Sequence, residues 1–349
     1  MIREIPDIIQ ELPLNVITRM KIERGYIKTA KCINKILGRK NNFSSSYYPL
    51  VRNNRFYGDE LLLRKYSGMK KDLHAIIEHG LYFGNNKAKV GYNFEWEIGN
   101  ILTLGDYRKK LINDVYPEYY CETIGPLIHY ADIDREYQNG IERKLKNNER
   151  ALLFFPVHGN ELFSPIYNAR NTVNCIMKIA NEKDCYNVII CVYYDSKNIY
   201  QNICDELNTD RIVVTTCGNR YDDNFLCRQK ALIEMADLTM SNSLGTHIGY
   251  CIYMGKPHIL LPQEFSYKGN KEQLKRDFGD SNRSSNWKSD YEQEINMFQN
   301  IFSPEYNEIT DDQLETCNYY WGIDKIKTPK EIREIYQKCY DNAQTFKRR

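Results

Sequence analysis

No stretch of the 349 residues is apolar for the roughly 20 positions that a membrane-spanning helix requires. The longest apolar run, Val188–Tyr194, has the length of a strand. No two of the 11 cysteines stand in a Cys-x-x-Cys spacing, so a tetrathiolate zinc site and a redox dithiol lack support. The cysteine count is odd, and Cys191, Cys227 and Cys251 lie inside apolar segments, where a reduced thiol acts as a small hydrophobe. A reducing, cytoplasmic compartment is expected. The chain also lacks a charge excess: 48 Lys and Arg against 46 Asp and Glu give +2, and nucleic acid is not an expected partner. Met1–Met20 carries Arg3, Glu4, Asp7 and Glu11 among its apolar residues, which does not read as a signal peptide.

With 42% hydrophobic and 27% charged residues, the chain can bury cores, and its length suits two domains of roughly 100–200 residues. Residues 15–38 read as an amphipathic helix through Val16, Met20, Ile27, Ala30, Ile33 and Leu37, with a stop at Gly38. The stretch 15–40 holds Arg19, Lys21, Arg24, Lys28, Lys31, Lys35, Arg39 and Lys40 against the single acid Glu23. That face is either a solvated surface or a patch for anionic headgroups, each basic residue near a membrane being worth about 1 kcal/mol. The second alternative would bring peripheral contact with an anionic membrane at its inner face.

A first α/β region follows. Leu73–Ile77, Ile101–Leu104 and Tyr119–Ile124 are short apolar runs, and Asp106–Asn113 is helical in pattern, which indicates a mostly parallel sheet. The polar stretch 134–150 is the candidate boundary, dividing a domain over 1–135 from a second over 151–310 by a linker at 136–150. In the second half, Ala151–Val157, Val188–Tyr194, Arg211–Thr215, Asp237–Ser241 and Pro257–Leu261 alternate with helix-length segments, as in a doubly wound, Rossmann-like domain. Residues 262–290 read as a long loop and 311–349 as terminal helices able to pack back on the first domain. Thr328, Pro329 and Glu331 start the last of these.

Three segments carry chemistry. Ser241–Gly249 follows an expected strand and opens an expected helix; small residues, hydroxyls and first-turn N–H groups there suit a phosphate or diphosphate, or else only cap and pack the helix. Phe154–Asn160 ends the first strand of the second domain, which puts His158 on the same sheet edge as Ser243, with Thr216, Cys217 and Gly218 closing a third strand there. Glu78-His79-Gly80 ends a strand of the first domain and offers a carboxylate and an imidazole as general bases. Alternation along a strand lets one of the two face a cleft, and His79 is favoured because an imidazole titrates near pH 6.5.

The ordered set Arg52-Asn53-Asn54-Arg55-Phe56-Tyr57-Gly58, Ile77–Phe83, Tyr107-Arg108-Lys109-Lys110, Ile124–Ala131, Leu152–His158, Ser241–Pro257 and Tyr320-Trp321-Gly322 resembles GT-B glycosyltransferases of bacterial capsule and lipopolysaccharide synthesis, and spans most of residues 50–325. The resemblance implies two facing Rossmann-like domains, with the donor in the second and a glycan or lipid-linked glycan acceptor in the first. It implies donor contacts at His158, Gly159, Thr216, Ser243, Gly245, Thr246, His247 and Glu264, and acceptor-side roles for Arg52, Gly80 and Arg108. It implies no catalytic metal and no cofactor beyond the nucleotide-sugar substrate; Asp222-Asp223 and Asp311-Asp312 fall in loop or cap contexts. Pro156-Val157-His158 and Ser243 to Thr246 depart from the His-Pro and Ser/Thr pairs of CMP-sugar enzymes, leaving UDP, GDP, CMP and TDP sugars all open. A sugar-nucleotide epimerase or polyol-phosphate transferase, or a non-catalytic nucleotide-sugar binding protein, would use the same scaffold.

Overall fold

Two parallel sheets meet through their carboxyl-terminal edges. The computed structural model describes residues 21, 24, 49–83, 98–159, 163–194, 196–269 and 285–346. The basic helix expected over 15–38 therefore lies outside the described residues apart from Lys21 and Arg24, and so do Gly84 and Asn160. The first sheet holds β1 (Ile76–Ile77), β2 (Asn100–Thr103) and β3 (Tyr120–Thr123), all parallel and in that order. Their side chains are buried on both faces through β1 and β2, as a parallel sheet covered by helices requires. Two of the covering helices are α1 (Asp59–Ser67) and α2 (Asp106–Val115).

The second sheet forms from the five apolar runs of the second half: β4 (Ala151–Phe155), β6 (Asn187–Cys191), β7 (Ile212–Thr215), β8 (Leu238–Ser241) and β9 (His258–Leu260). Its order is β7-β6-β4-β8-β9, parallel throughout. Counted within this half the order is 3-2-1-4-5, that of a doubly wound nucleotide-binding sheet, and the direction of winding reverses between β4 and β8. Asn242 fastens that point: its side-chain oxygen accepts from the Val157 amide at 2.6 Å and its amide donates to Gln263 at 3.1 Å. The helices of this half are α4 (Ala169–Glu182), α5 (Lys197–Leu207), α6 (Phe225–Met235) and α7 (Thr246–Tyr253).

Two segments differ from the sequence expectation. The polar stretch 134–150 contains α3 (Arg135–Glu142), capped by the Asp134 carboxylate on the Tyr137 amide and burying only Gln138 and Ile141. The stretch 134–150 is almost entirely polar, so composition hides the helix. The expected long loop 262–290 contains β10 (Ser266–Gly269), antiparallel to β5 (Phe163–Ile166), and the start of α8 (Ser285–Ile301). A two-stranded ribbon outside the main sheet needs no apolar alternation, and Pro165 further disguises β5.

The last two helices, α9 (Asp311–Trp321) and α10 (Pro329–Thr345), bind both halves together. Asn100 on β2 donates to the Cys339 carbonyl at 2.9 Å, and Asn342 donates to Gly99 and Asn100. Trp321 is fully buried. Its ring lies so close to Gly249 of α7 that a β-carbon there would sit 2.1 Å from Cγ. The Tyr320-Trp321-Gly322 motif thus packs against the helix that follows β8.

Candidate active site

A cleft of about 280 Å³ opens where the carboxyl ends of the two sheets face each other. From the second sheet it receives Pro156 and His158 after β4, Val192 and Tyr193 after β6, and Ser243 to His247 after β8. The switch point between β4 and β8 therefore opens into it. From the first half it receives Tyr57, Asp59, His79 and Gly80.

Helix α7 presents its amino end to this space. Gly245 is its N-cap, no side chain caps it, and its first turn carries no acid. The amides of Thr246 and His247, the positive end of the helix dipole and the hydroxyls of Ser243 and Thr246 converge there, a constellation suited to an anionic oxygen. The Thr246 hydroxyl accepts from the Leu81 amide at 3.0 Å across the cleft, so its own proton remains to donate. Gly80 permits this approach: its φ is +78°, and a β-carbon there would lie 2.8 Å from the Thr246 hydroxyl.

On the opposite wall, His79 stacks on Tyr57 with ring centroids 4.7 Å apart and touches Phe56 edge-on at 5.1 Å. Its Nδ1 lies 3.9 Å from the Asp59 carboxylate. Asp59 is 2% exposed, and burial raises its carboxyl above the usual range against the opposing pull of His79. Neither His79 Nδ1 nor Asp59 Oδ1 has another hydrogen-bond partner among the described residues. Aspartate therefore stands behind the imidazole, leaving Nε2 for the cleft. Tyr57 holds the wall in place from the left-handed region, at φ 54°. That conformation costs on the order of 1–3 kcal/mol in a non-glycine residue; it is held by a 2.7 Å bond from the Tyr57 amide to the Arg220 carbonyl and by packing on Phe225.

The expected site residues divide. His79, Gly80, His158, Ser243, Gly245, Thr246 and His247 line one cleft. Glu78 does not: it is 2% exposed beneath the sheet, accepting from Thr103 at 2.5 Å and from Arg108 Nε at 3.1 Å. Arg108 is fully buried in that same pair and is likewise absent from the cleft wall. Arg52 is half-buried away from the cleft, and Glu264 is exposed beyond β9. Thr216 turns aside, its hydroxyl accepting from Gly218 and its carbonyl from Tyr137. Gly159 contributes its carbonyl, which accepts from His158 Nδ1 at 2.9 Å. A carbonyl only accepts, so Nδ1 carries the proton and Nε2 is the free position of a neutral His158. Its ring stacks on Tyr193 at 5.5 Å. Cleft residues that were not singled out in the sequence include Asp59, Phe225, Leu226 and Gln229.

Two imidazoles, His247 on the cleft wall and His258 behind it, are built to stay neutral. His247, stacked on Phe155, has its pKa pushed down to about 3 by burial, with His158 adding to the effect. His258, bonded to the hydroxyls of Thr239 and Ser241, is held well below the ordinary imidazole value by burial, with His247 adding. In the unfolded chain both titrate near 6.5. A lowered folded pKa gives stability that is present above about pH 6.5 and lost as pH falls towards the folded value, because the unfolded chain binds the proton first. Urea unfolding is expected to give a level stability above about pH 7 and a decline already visible between about pH 6.5 and 5, above the usual carboxylate range. A profile flat to pH 5 contradicts neutral burial of these rings.

Neither a protein-family model nor a curated protein matches the chain. Among solved structures it is similar to two of the wall teichoic acid polymerase TagF. One, a variant soaked with CDPG, shows 10% identity over 77% of this chain and 67% of that chain, with a TM-score of 0.40. The other variant shows 9% identity over 76% and 67%, also at a TM-score of 0.40. Likeness of that degree assigns neither fold nor activity.

Proposed function

We propose that this chain is a GT-B glycosyltransferase that moves a sugar from a nucleotide-sugar donor to a hydroxyl of a glycan or lipid-linked glycan in surface-polysaccharide synthesis, without a catalytic metal. One observation carries the reading: an imidazole backed by a buried carboxylate faces, across a single cleft, the free amino end of a helix at the switch point of a 3-2-1-4-5 sheet. In the reaction, the acceptor oxygen forms a bond to the anomeric carbon as that carbon parts from the donor phosphate. The acceptor proton passes to His79 Nε2. The departing phosphate gathers charge, which the amides of Thr246 and His247 and the hydroxyls of Ser243 and Thr246 stabilise.

The test is a thermal-shift screen with UDP, GDP, CMP and TDP, followed by turnover with the matching nucleotide-linked sugars and polyols. A nucleotide at 100 times its Kd stabilises by about 2.7 kcal/mol, which is a shift of several degrees. No shift with any of the four overturns the reading; transfer of a polyol phosphate instead of a sugar redirects it. Turnover is expected to persist in excess EDTA, and strict dependence on Mg²⁺ or Mn²⁺ contradicts the metal-free assignment.

Gly245→Val tests the phosphate position. A β-carbon there would lie 2.6 Å from His247 Cε1, so the substitution crowds the helix entrance and displaces that ring. Nucleotide affinity is expected to fall at least about tenfold, which corresponds to about 1.4 kcal/mol. Unchanged affinity by calorimetry removes Gly245 from the phosphate site.

A further inference from the structure

Gln229 sits on α6 one turn beyond Phe225 and Leu226, and all three line the cleft. It is 9% exposed. Its amide makes no hydrogen bond with any described residue, and its polar atoms are open to the cleft rather than sealed in the core. The same cleft is lined by the Tyr57 and Phe225 rings, tilted at 40° with centroids 4.3 Å apart, and by Asp59, whose Oδ1 has no partner among the described residues. No Lys or Arg lines the cleft among the described residues. The cleft therefore combines apolar ring faces with a carboxyl and with an amide that both donates and accepts. About 280 Å³ falls just below the usual range for small-molecule pockets, which begins at about 300 Å³.

We infer that Gln229 reads the hydroxyl groups of an uncharged sugar or polyol unit seated against the Tyr57–Phe225 wall, and that it is a specificity-determining residue of this cleft. Ring C–H faces of such a unit cover the aromatic wall while its hydroxyls satisfy the amide. The identity of the unit as donor or acceptor rests on the transferase reading; the hydroxyl recognition does not. A site built to bond a hydroxyl rejects the analogue lacking it far more strongly than an apolar pocket rejects an extra group, because the buried amide is left unpaired.

The experiment is saturation-transfer NMR of the full chain with glycerol, ribitol, glucose, galactose and N-acetylglucosamine, each with deoxy analogues. At least one compound is expected to bind and to lose at least about tenfold in affinity in Gln229→Leu and Gln229→Met, with the preference over its deoxy analogue reduced. The thermal midpoint of each variant, measured alongside, separates loss of recognition from loss of fold. No binding by any of the compounds, or equal affinity in a folded Gln229→Leu or Gln229→Met, overturns the inference. Displacement of the bound compound by an intact nucleotide-linked sugar or polyol, but not by the nucleotide alone, assigns the unit to the donor. Retention of both assigns it to the acceptor. Hydroxyl-dependent binding with no nucleotide response keeps the inference while the transferase reading fails.

Discussion

Replacing His79 by alanine is expected to lower turnover by about 10²–10⁴-fold with little effect on nucleotide binding, the loss that follows removal of a general base. His79 follows β1 on the wall opposite α7, and it packs on Tyr57, Phe56 and Asp59. Its Nδ1 points to Asp59 at 3.9 Å, so the lone pair available to an acceptor hydroxyl is at Nε2. Asp59→Asn is the companion measurement. Asp59 packs behind the ring, so its replacement is expected to disturb the placement of the imidazole. Asp59→Asn is therefore expected to cost less turnover than His79→Ala and to leave nucleotide affinity unchanged. Full turnover in Asp59→Asn shows that Asp59 does not position the base. Full activity in His79→Ala places the base elsewhere, and His158, with its free Nε2, is the next residue to replace.

The second sheet was legible because its strands are nearly continuous apolar runs, the pattern of strands covered on both faces. All five runs form strands of one sheet. The elements that stayed hidden are those whose stability does not come from an apolar stripe. The ribbon of β5 and β10 is short and contains a proline, and α3 carries an Asp134 cap. The cleft lining was legible where glycine and histidine follow a strand, as at His79, His158 and Gly245. Asp59 was not, because an acid in the first turn of a helix ordinarily reads as a partner of the helix dipole. Its relation to His79, twenty positions along the chain, is created only by the packing of α1 beside β1. Gln229 reads as an ordinary polar helix position until α6 is laid along the cleft. Just past β1, where the Glu78 amide still donates to the Leu102 carbonyl, successive side chains turn opposite ways: the imidazole to the cleft and the carboxylate to Arg108.

Glu78→Ala is accordingly expected to act on stability. Glu78 and Arg108 are 2% and 0% exposed, and Thr103 donates a further bond to the carboxylate. Two charges taken out of water are tolerated here because each satisfies the other, and the Tyr82 ring, 5.3 Å from the guanidinium, closes the remaining side. Removing one partner strands the other charge in a site that cannot solvate it, at a cost of about 3–5 kcal/mol. Urea unfolding is expected to show that loss as a lower midpoint for Glu78→Ala and for Arg108→Ala alike. Replacing both by apolar residues, as in Glu78→Leu with Arg108→Met, is expected to cost less than the sum of the single changes, since no orphan charge remains. The pair also joins the end of β1 to the first turn of α2, so its loss loosens the strand that presents His79, and some activity falls with it. The order of effects separates this from catalysis. A structural pair lowers the midpoint first and returns much of the turnover at low temperature, where the folded population recovers. An unchanged midpoint with turnover abolished at every temperature would return Glu78 to the reaction itself and displace His79 from the role of base.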